Sequence, residues 1–192
     1  MKSAHRQLGF VSTLLGVTLA FATPAAAQRS GFIIGFGLGP GYYSVSPEGG
    51  SSDGKAGLGA DFHIGGAFGS GIELYLFEKF VTSGSDVGGI DTQSTGVVGV
   101  GMAVPVSDRF YVHGGVGTGI WAESASASAG SVSVSAFSVE ESGLGLVGGG
   151  RYELSESGRW MLNFDVVYEE EPISGSGASV LAFQVTINIM SH

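Results

Sequence analysis

The feature that most restricts this chain is a two-residue alternation in which glycine repeatedly occupies one of the two faces. Residues 56–68 run Ala-Gly-Leu-Gly-Ala-Asp-Phe-His-Ile-Gly-Gly-Ala-Phe. Even positions supply Leu58, Phe62, Ile64 and Phe68, and odd positions supply Gly57, Gly59, Asp61, His63 and Gly65. Neighbouring side chains of a strand point to opposite faces, so this spacing predicts a strand with one apolar side. The pattern recurs along the chain. A first strand sets Phe32, Ile34, Phe36, Leu38 and Tyr42 against Gly35, Gly37, Gly39 and Gly41. The third sets Ile72, Leu74 and Leu76 against Glu73, Tyr75, Phe77 and Lys79, and the fourth Val98, Val100, Met102 and Val104 against Gln93, Thr95, Gly99 and Gly101. The fifth opposes Phe110, Val112, Val116 and Ile120 to His113, Gly115, Gly117, Gly119 and Glu123. The sixth opposes Leu144, Leu146, Tyr152 and Leu154 to Gly143, Gly145, Gly149, Arg151 and Glu153. The seventh opposes Trp160, Leu162, Phe164, Val166 and Tyr168 to Asn163, Asp165 and Glu169, and the eighth Leu181, Phe183, Val185, Ile187 and Ile189 to Gln184, Thr186 and Asn188. Each strand has about ten residues or slightly more, the length that crosses a bilayer at a tilt.

The connections fall at roughly 45–55, 69–71, 83–92, 107–109, 124–140, 155–158 and 170–178, alternately long and short. A soluble meander has no reason to alternate, because both of its ends meet the same solvent. A transmembrane barrel does: its outer loops are long and its periplasmic turns short. With both termini in the periplasm, the odd-numbered connections lie outside, and these are the long ones.

A soluble lipocalin-type barrel also has eight alternating strands, with the apolar face as its core. Its water-facing surface would then be largely bare glycine, which weakens strands without packing anything. The chain holds 35 glycines and only 13% charged residues, about half the ~25% usual for soluble domains. With the apolar face outward the glycines make sense, because an eight-strand lumen needs small residues opposite bulky ones. The expected fold is all-β: an eight-stranded antiparallel up-and-down transmembrane barrel, apolar face outward, with a Gly-rich and charged lumen. Its lumen polar cluster comprises Asp61, His63, Glu73, Lys79, His113, Arg151, Glu153, Asn163 and Asp165.

This pattern resembles the small eight-stranded outer-membrane β-barrel proteins, of the outer membrane protein A transmembrane-domain and outer membrane protein X type. The resemblance covers about residues 30–192 and rests on Gly31-Phe-Ile-Ile-Gly-Phe-Gly-Leu-Gly, on the turn in Val104-Pro-Val-Ser-Asp-Arg-Phe-Tyr-Val, and on the closing Phe183-Gln-Val-Thr-Ile-Asn-Ile. Members usually finish on a terminal aromatic residue read by the insertion machinery, whereas this chain ends Ile189-Met190-Ser191-His192. No peptidoglycan-binding domain is expected after the eighth strand.

The first 27 residues read as an address. Lys2 and Arg6 begin it, Leu8 to Ala22 is mostly apolar, and Ala25-Ala26-Ala27 suits a signal peptidase cutting between Ala27 and Gln28. Residues 1–27 are therefore expected to be a cleaved secretory signal and 28–192 the barrel, which places the protein in the cell outer membrane.

Candidates for chemistry are few. His63 and His113 fall on the lumen face, and neither has a serine two residues on, as barrel deacylases do. Hydrogen-bonded lumen histidines are the simpler expectation, and no enzyme is expected. Strings such as Gly114-Gly-Val-Gly-Thr-Gly lack the following helix a phosphate loop requires. The absence of cysteine excludes thiolate metal sites and thiol chemistry, and no cofactor or metal is expected. A net charge of −9 argues against nucleic acid.

Charge sorts by side. The outer loops and rim carry Glu48, Asp53, Asp86, Asp91, Glu123, Glu140, Glu141, Glu169, Glu170 and Glu171 with Lys55 the only base, whereas Arg29, Arg109 and Arg159 lie near the periplasmic end. The acidic rim reads either as a holder of divalent cations bridging to lipopolysaccharide or as a solvated, repulsive face, and the second needs no defined site. In the third outer connection Ser131, Ser133 and Ser135 alternate with Val132, Val134 and Ala136. Residues 124–140 thus read either as a protruding hairpin turning near Ala129-Gly130, with edges open to an extracellular partner, or as a flexible Ser/Ala loop. If Gly69-Ser70-Gly71 is a three-residue turn, counting back sets His63 opposite Phe77 and Asp61 opposite Lys79. Arg151 falls opposite Met161 or Asn163, diagonally near Asp165.

The expected protein is a monomer with a side-chain-plugged lumen and a role in envelope integrity or adhesion. A narrow channel for small polar solutes is the alternative, and a lipid-modifying enzyme is more distant. Expected partners are outer-membrane lipid and lipopolysaccharide, the barrel-assembly machinery, and an extracellular partner at 124–140.

Overall fold

The computed structural model describes residues 30–48, 50–69, 71–84, 90–129, 132–155, 157, 159–171 and 177–191. The expected signal segment and its cut between Ala27 and Gln28 lie outside the described residues, as do Arg29 and Asp86. Eight strands follow in order: β1 (Gly31–Ser46), β2 (Asp53–Ala67), β3 (Glu73–Gly84), β4 (Ile90–Pro105), β5 (Phe110–Ala129), β6 (Val132–Glu153), β7 (Trp160–Glu170) and β8 (Ser179–Ser191). Each pairs antiparallel with the next, and β8 returns to β1 to close the barrel. Closure leaves no sheet edge within the wall, which is what a lipid-exposed sheet requires.

The registers set the shape. Following ladder partners from Ile34 leads through Ile64, Leu76, Val100, Val116, Leu146, Tyr168 and Leu181 back to β1 at Ser44, ten residues beyond the start. Eight strands with a stagger of ten tilt by about 40° around a backbone radius of about 8 Å, using strand spacings of ~4.8 Å and ~3.3 Å per residue. At that tilt even β7, the shortest strand at 11 residues, rises about 27 Å, enough to span the ~25 Å apolar band of an outer-membrane barrel.

The distribution of side chains inverts that of a soluble protein. Phe32, Leu76 and Val100 are more than half exposed at 61%, 59% and 55%, whereas Asp61, Glu73 and Lys79 are at most 3% exposed. The interior glycines make room for these groups. A Cβ on Gly35 would strike the His63 ring, one on Gly37 the Asn188 amide, and one on Gly115 the Phe77 ring.

The connections differ from the sequence expectation. Pairing runs further up the outer side, so the outer connections shrink to 47–52, 85–89, 130–131 and 171–178, and the strict alternation of long and short is lost. The cause is that hydrogen bonding does not stop where the membrane does: β5 and β6 stay paired out to Ala129 and Val132. On the other side Phe68 N donates to Ile72 O at 2.9 Å and Val106 N to Phe110 O at 2.8 Å, closing two short turns.

Candidate functional site: the barrel interior and its outer mouth

Three layers of side chains fill the lumen. The middle layer is built around Lys79 of β3, whose Nζ donates to Asp61 Oδ2 at 2.7 Å and, across the lumen, to Asp165 Oδ2 of β7 at 3.0 Å. One ammonium thus serves two carboxylates, and neutral donors take up the remaining lone pairs. Asn163 Nδ2 donates to Asp61 Oδ2 at 2.8 Å and Gln184 Nε2 to Asp165 Oδ2 at 3.2 Å. The two histidines complete the cluster, with His63 Nδ1 3.3 Å from Asp61 Oδ1 and His113 Nε2 2.5 Å from Asp165 Oδ1. Asp61 stands opposite Lys79 and His63 opposite Phe77, the register that the Gly69–Gly71 turn dictates by counting.

The lower layer pairs β6 with β3 across the barrel. Arg151 Nη2 donates to Glu73 Oε2, its Nη1 lies 3.4 Å from Met190 Sδ, and its guanidinium carbon lies 5.0 Å from the Tyr111 ring centre. Arg151 does stand opposite Asn163 in the ladder, but its charge does not go to Asp165. Asp165, its diagonal neighbour, accepts from Lys79, His113 and Gln184, while Glu73 is bonded to Arg151. Glu153 is buried at the same end. Tyr75 sits between the layers, edge-on to Phe77 with centroids 6.3 Å apart and 5.4 Å from His63.

The upper layer is built around two aromatic rings. Tyr43 meets Trp121 edge-on at 6.3 Å, and its hydroxyl lies 2.9 Å from Ser83 Oγ. Above it Lys55 Nζ donates to Gln93 Oε1 at 2.6 Å, while Gln93 Nε2 and Trp121 Nε1 donate to Glu123 Oε1 at 3.2 and 2.9 Å. Glu169, expected on the outer rim, is instead fully buried inside, where Thr95 Oγ1 donates to it at 2.8 Å. Its odd position decides this: it follows Asn163 and Asp165 on the inward face of β7. Of the other rim acids, Asp91, Glu140 and Glu141 have side chains outside the described residues.

The arrangement binds charge to charge across the lumen, and each of the two histidines is held by an aspartate. The inward aromatics Tyr43 and Trp121 carried no polar signal in the sequence, and only their parity could have placed them in the plug.

Against known families, the one described as outer membrane protein beta-barrel domain matches residues 12–187. The chain belongs to that family. Among solved structures it is similar to Ail, the attachment invasion locus protein of Yersinia pestis, at 13% identity over 83% of this chain and 98% of that one, with a TM-score of 0.57. A second structure of Ail, in complex with the heparin analogue sucrose octasulfate, matches at 12% identity over 85% and 100%, also with a TM-score of 0.57. Neisserial surface protein A matches at 11% identity over 84% and 99%, with a TM-score of 0.50. No curated protein matches. At such identities the likeness to the solved structures is one of fold, and family membership places the chain in the outer membrane.

Proposed function

We propose that this protein is a surface-presenting outer-membrane barrel that supports envelope integrity or adhesion, with a lumen sealed against solutes. The observation that carries this reading is the ion-paired middle layer, in which Lys79 ties opposite walls together between the Arg151–Glu73 pair below and the Tyr43–Trp121 pair above. A sealed barrel leaves its outer segments to do the work. Beyond the Gly145–Glu169 pair, β6 has no β7 partner, and it continues to Val132 alongside β5. That edge suits an extended segment of an extracellular partner. An acidic mouth does not suit a sulfated polyanion of the kind held by Ail. Secretion by residues 1–27, insertion by the barrel-assembly machinery and contact with lipopolysaccharide belong to the same reading.

A second reading, a narrow path for small polar solutes, has its own support. Buried atoms such as His63 Nε2, Gln184 Oε1 and Asn188 Oδ1 find no hydrogen-bond partner among the described residues, and such atoms bind water. Single-channel recording in planar bilayers separates the two. The sealed barrel gives no discrete steps, and a stable porin-like conductance overturns it.

A further inference from the structure

A carboxyl group sits on the wall of this barrel where hydrocarbon side chains surround it. Glu78 of β3 is exposed on the outward face between Leu76 and Phe80. Its ladder partners are Phe62 of β2 and Val98 of β4. Phe62 in turn pairs with Phe36, in the middle of the outward run of β1 from Phe32 to Tyr42. Because the ladder climbs as it goes round, two strands on from Phe36 it has risen by about two to three residues. Glu78 is therefore level with Leu38 to Gly39, inside the apolar band and away from either water boundary. It makes no hydrogen bond or ion pair among the described residues.

No cation among the described residues is placed beside it. Lys79 and Arg151 point inward and are paired there, Lys55 is bonded to Gln93 at the outer mouth, and Arg109 and Arg159 lie at the periplasmic end. A lone carboxyl against lipid is costly, and ionisable groups at this depth almost always face a partner.

We propose, against the monomer expected from the sequence, that Glu78 lies at the centre of an interface with a second copy of this chain, in which two Glu78 carboxyl groups share a proton across a two-fold axis. The geometry favours a copy over another protein. Barrels inserted in one orientation can be related by a two-fold axis only if it runs along the membrane normal, so each residue near the axis meets its own counterpart at its own depth. A carboxylic acid facing a carboxylate is self-complementary, one O–H donating to one oxygen, and such a bond is among the stronger kinds. Phe62, Leu76, Val98 and Val100 surround the pair with exposed apolar surface that a second copy would cover.

The chain has no cysteine, so single introduced thiols report proximity cleanly. Leu76→Cys beside Glu78, and Phe164→Cys at similar depth on the opposite wall, are reconstituted in phosphatidylcholine vesicles at high dilution and oxidised with copper–phenanthroline. The interface predicts disulfide-linked dimers for Leu76→Cys and few for Phe164→Cys. Adding Glu78→Leu should lower the dimer yield by about tenfold, the weight of one charge-assisted hydrogen bond. Glu78→Gln, which keeps a donor and an acceptor, should retain most of it. Folding of every variant is checked by its shift on unheated gels, so loss of structure cannot pass for loss of contact. Equal cross-linking at residues 76 and 164, or an undiminished yield with Glu78→Leu, overturns the proposal. So does a native-membrane experiment in which a bifunctional reagent at residue 76 links only a different protein.

Discussion

Lys79 holds two aspartates that would otherwise repel each other inside a closed wall, and this makes its loss the most damaging single change in the lumen. Lys79→Ala leaves Asp61 and Asp165 buried without a cation, at an expected cost of about 3–5 kcal/mol. Asp61→Ala should cost less, because Lys79 keeps Asp165. The double variant should cost less than the sum of the two, as urea unfolding in lipid vesicles will measure, and strict additivity would show that the pair does not interact. Glycine offers a second contrast at this scale. A side chain at Gly115 would run into the Phe77 ring, whereas a Cβ at the outward Gly148 meets nothing within 4 Å. Gly115→Leu should leave no folded band on unheated gels. Gly148→Val should fold with stability within about 1 kcal/mol of the parent.

Strands β5 and β6 show how one residue shapes an element. Between the pairs Thr118–Leu144 and Gly119–Ser142 the register slips, and Gly143 is the extra residue. Its φ of +72° is left-handed, and a Cβ there would collide with the Glu170 carbonyl, so only glycine fits both demands. The bulge lies where β7 ends, freeing β6 to continue with β5 alone. Gly143→Val should speed amide hydrogen exchange in upper β6 and β7 while leaving the lower barrel protected. Replacing residues 126–135 by Asn-Gly, which closes the hairpin at the Ala125–Ala136 pair, should leave unfolding stability within about 0.5 kcal/mol, since that hairpin stands above the wall.

The molecule as a whole has an orientation that labelling can read. Cysteines placed at Ser51 or Ser128 should react with a membrane-impermeant maleimide on intact cells, and one at Ser157 should not. This follows if the longest strand extensions face outward, as outer-membrane barrels of this kind place their long segments. Labelling at residue 157 without labelling at 51 would invert the barrel. The same orientation requires any symmetric pair of copies to meet at equal depth, which is why one lipid-facing carboxylate bears on the whole assembly.

Face and neighbour were legible in the sequence; reach across the lumen was not. Parity alone sends Leu74 and Leu76 outward and Glu73, Tyr75 and Lys79 inward, because a strand has only two faces. A tight turn at Gly69–Gly71 leaves one simple count, so the opposition of Asp61 and Lys79 follows without coordinates. Between β6 and β7 the longer connection left two registers open, and the structure selects Asn163 opposite Arg151. Glu78 shares the even, outward parity of Leu74 and Leu76, but parity alone gives no sign that a carboxyl there lacks a partner. The cross-lumen bonds had no such signal. Lys79 and Asp165 lie 86 residues apart, and Arg151 and Glu73 lie 78 apart. Which of them meet depends on stagger, tilt and radius, and these exist only once all eight registers close on one another.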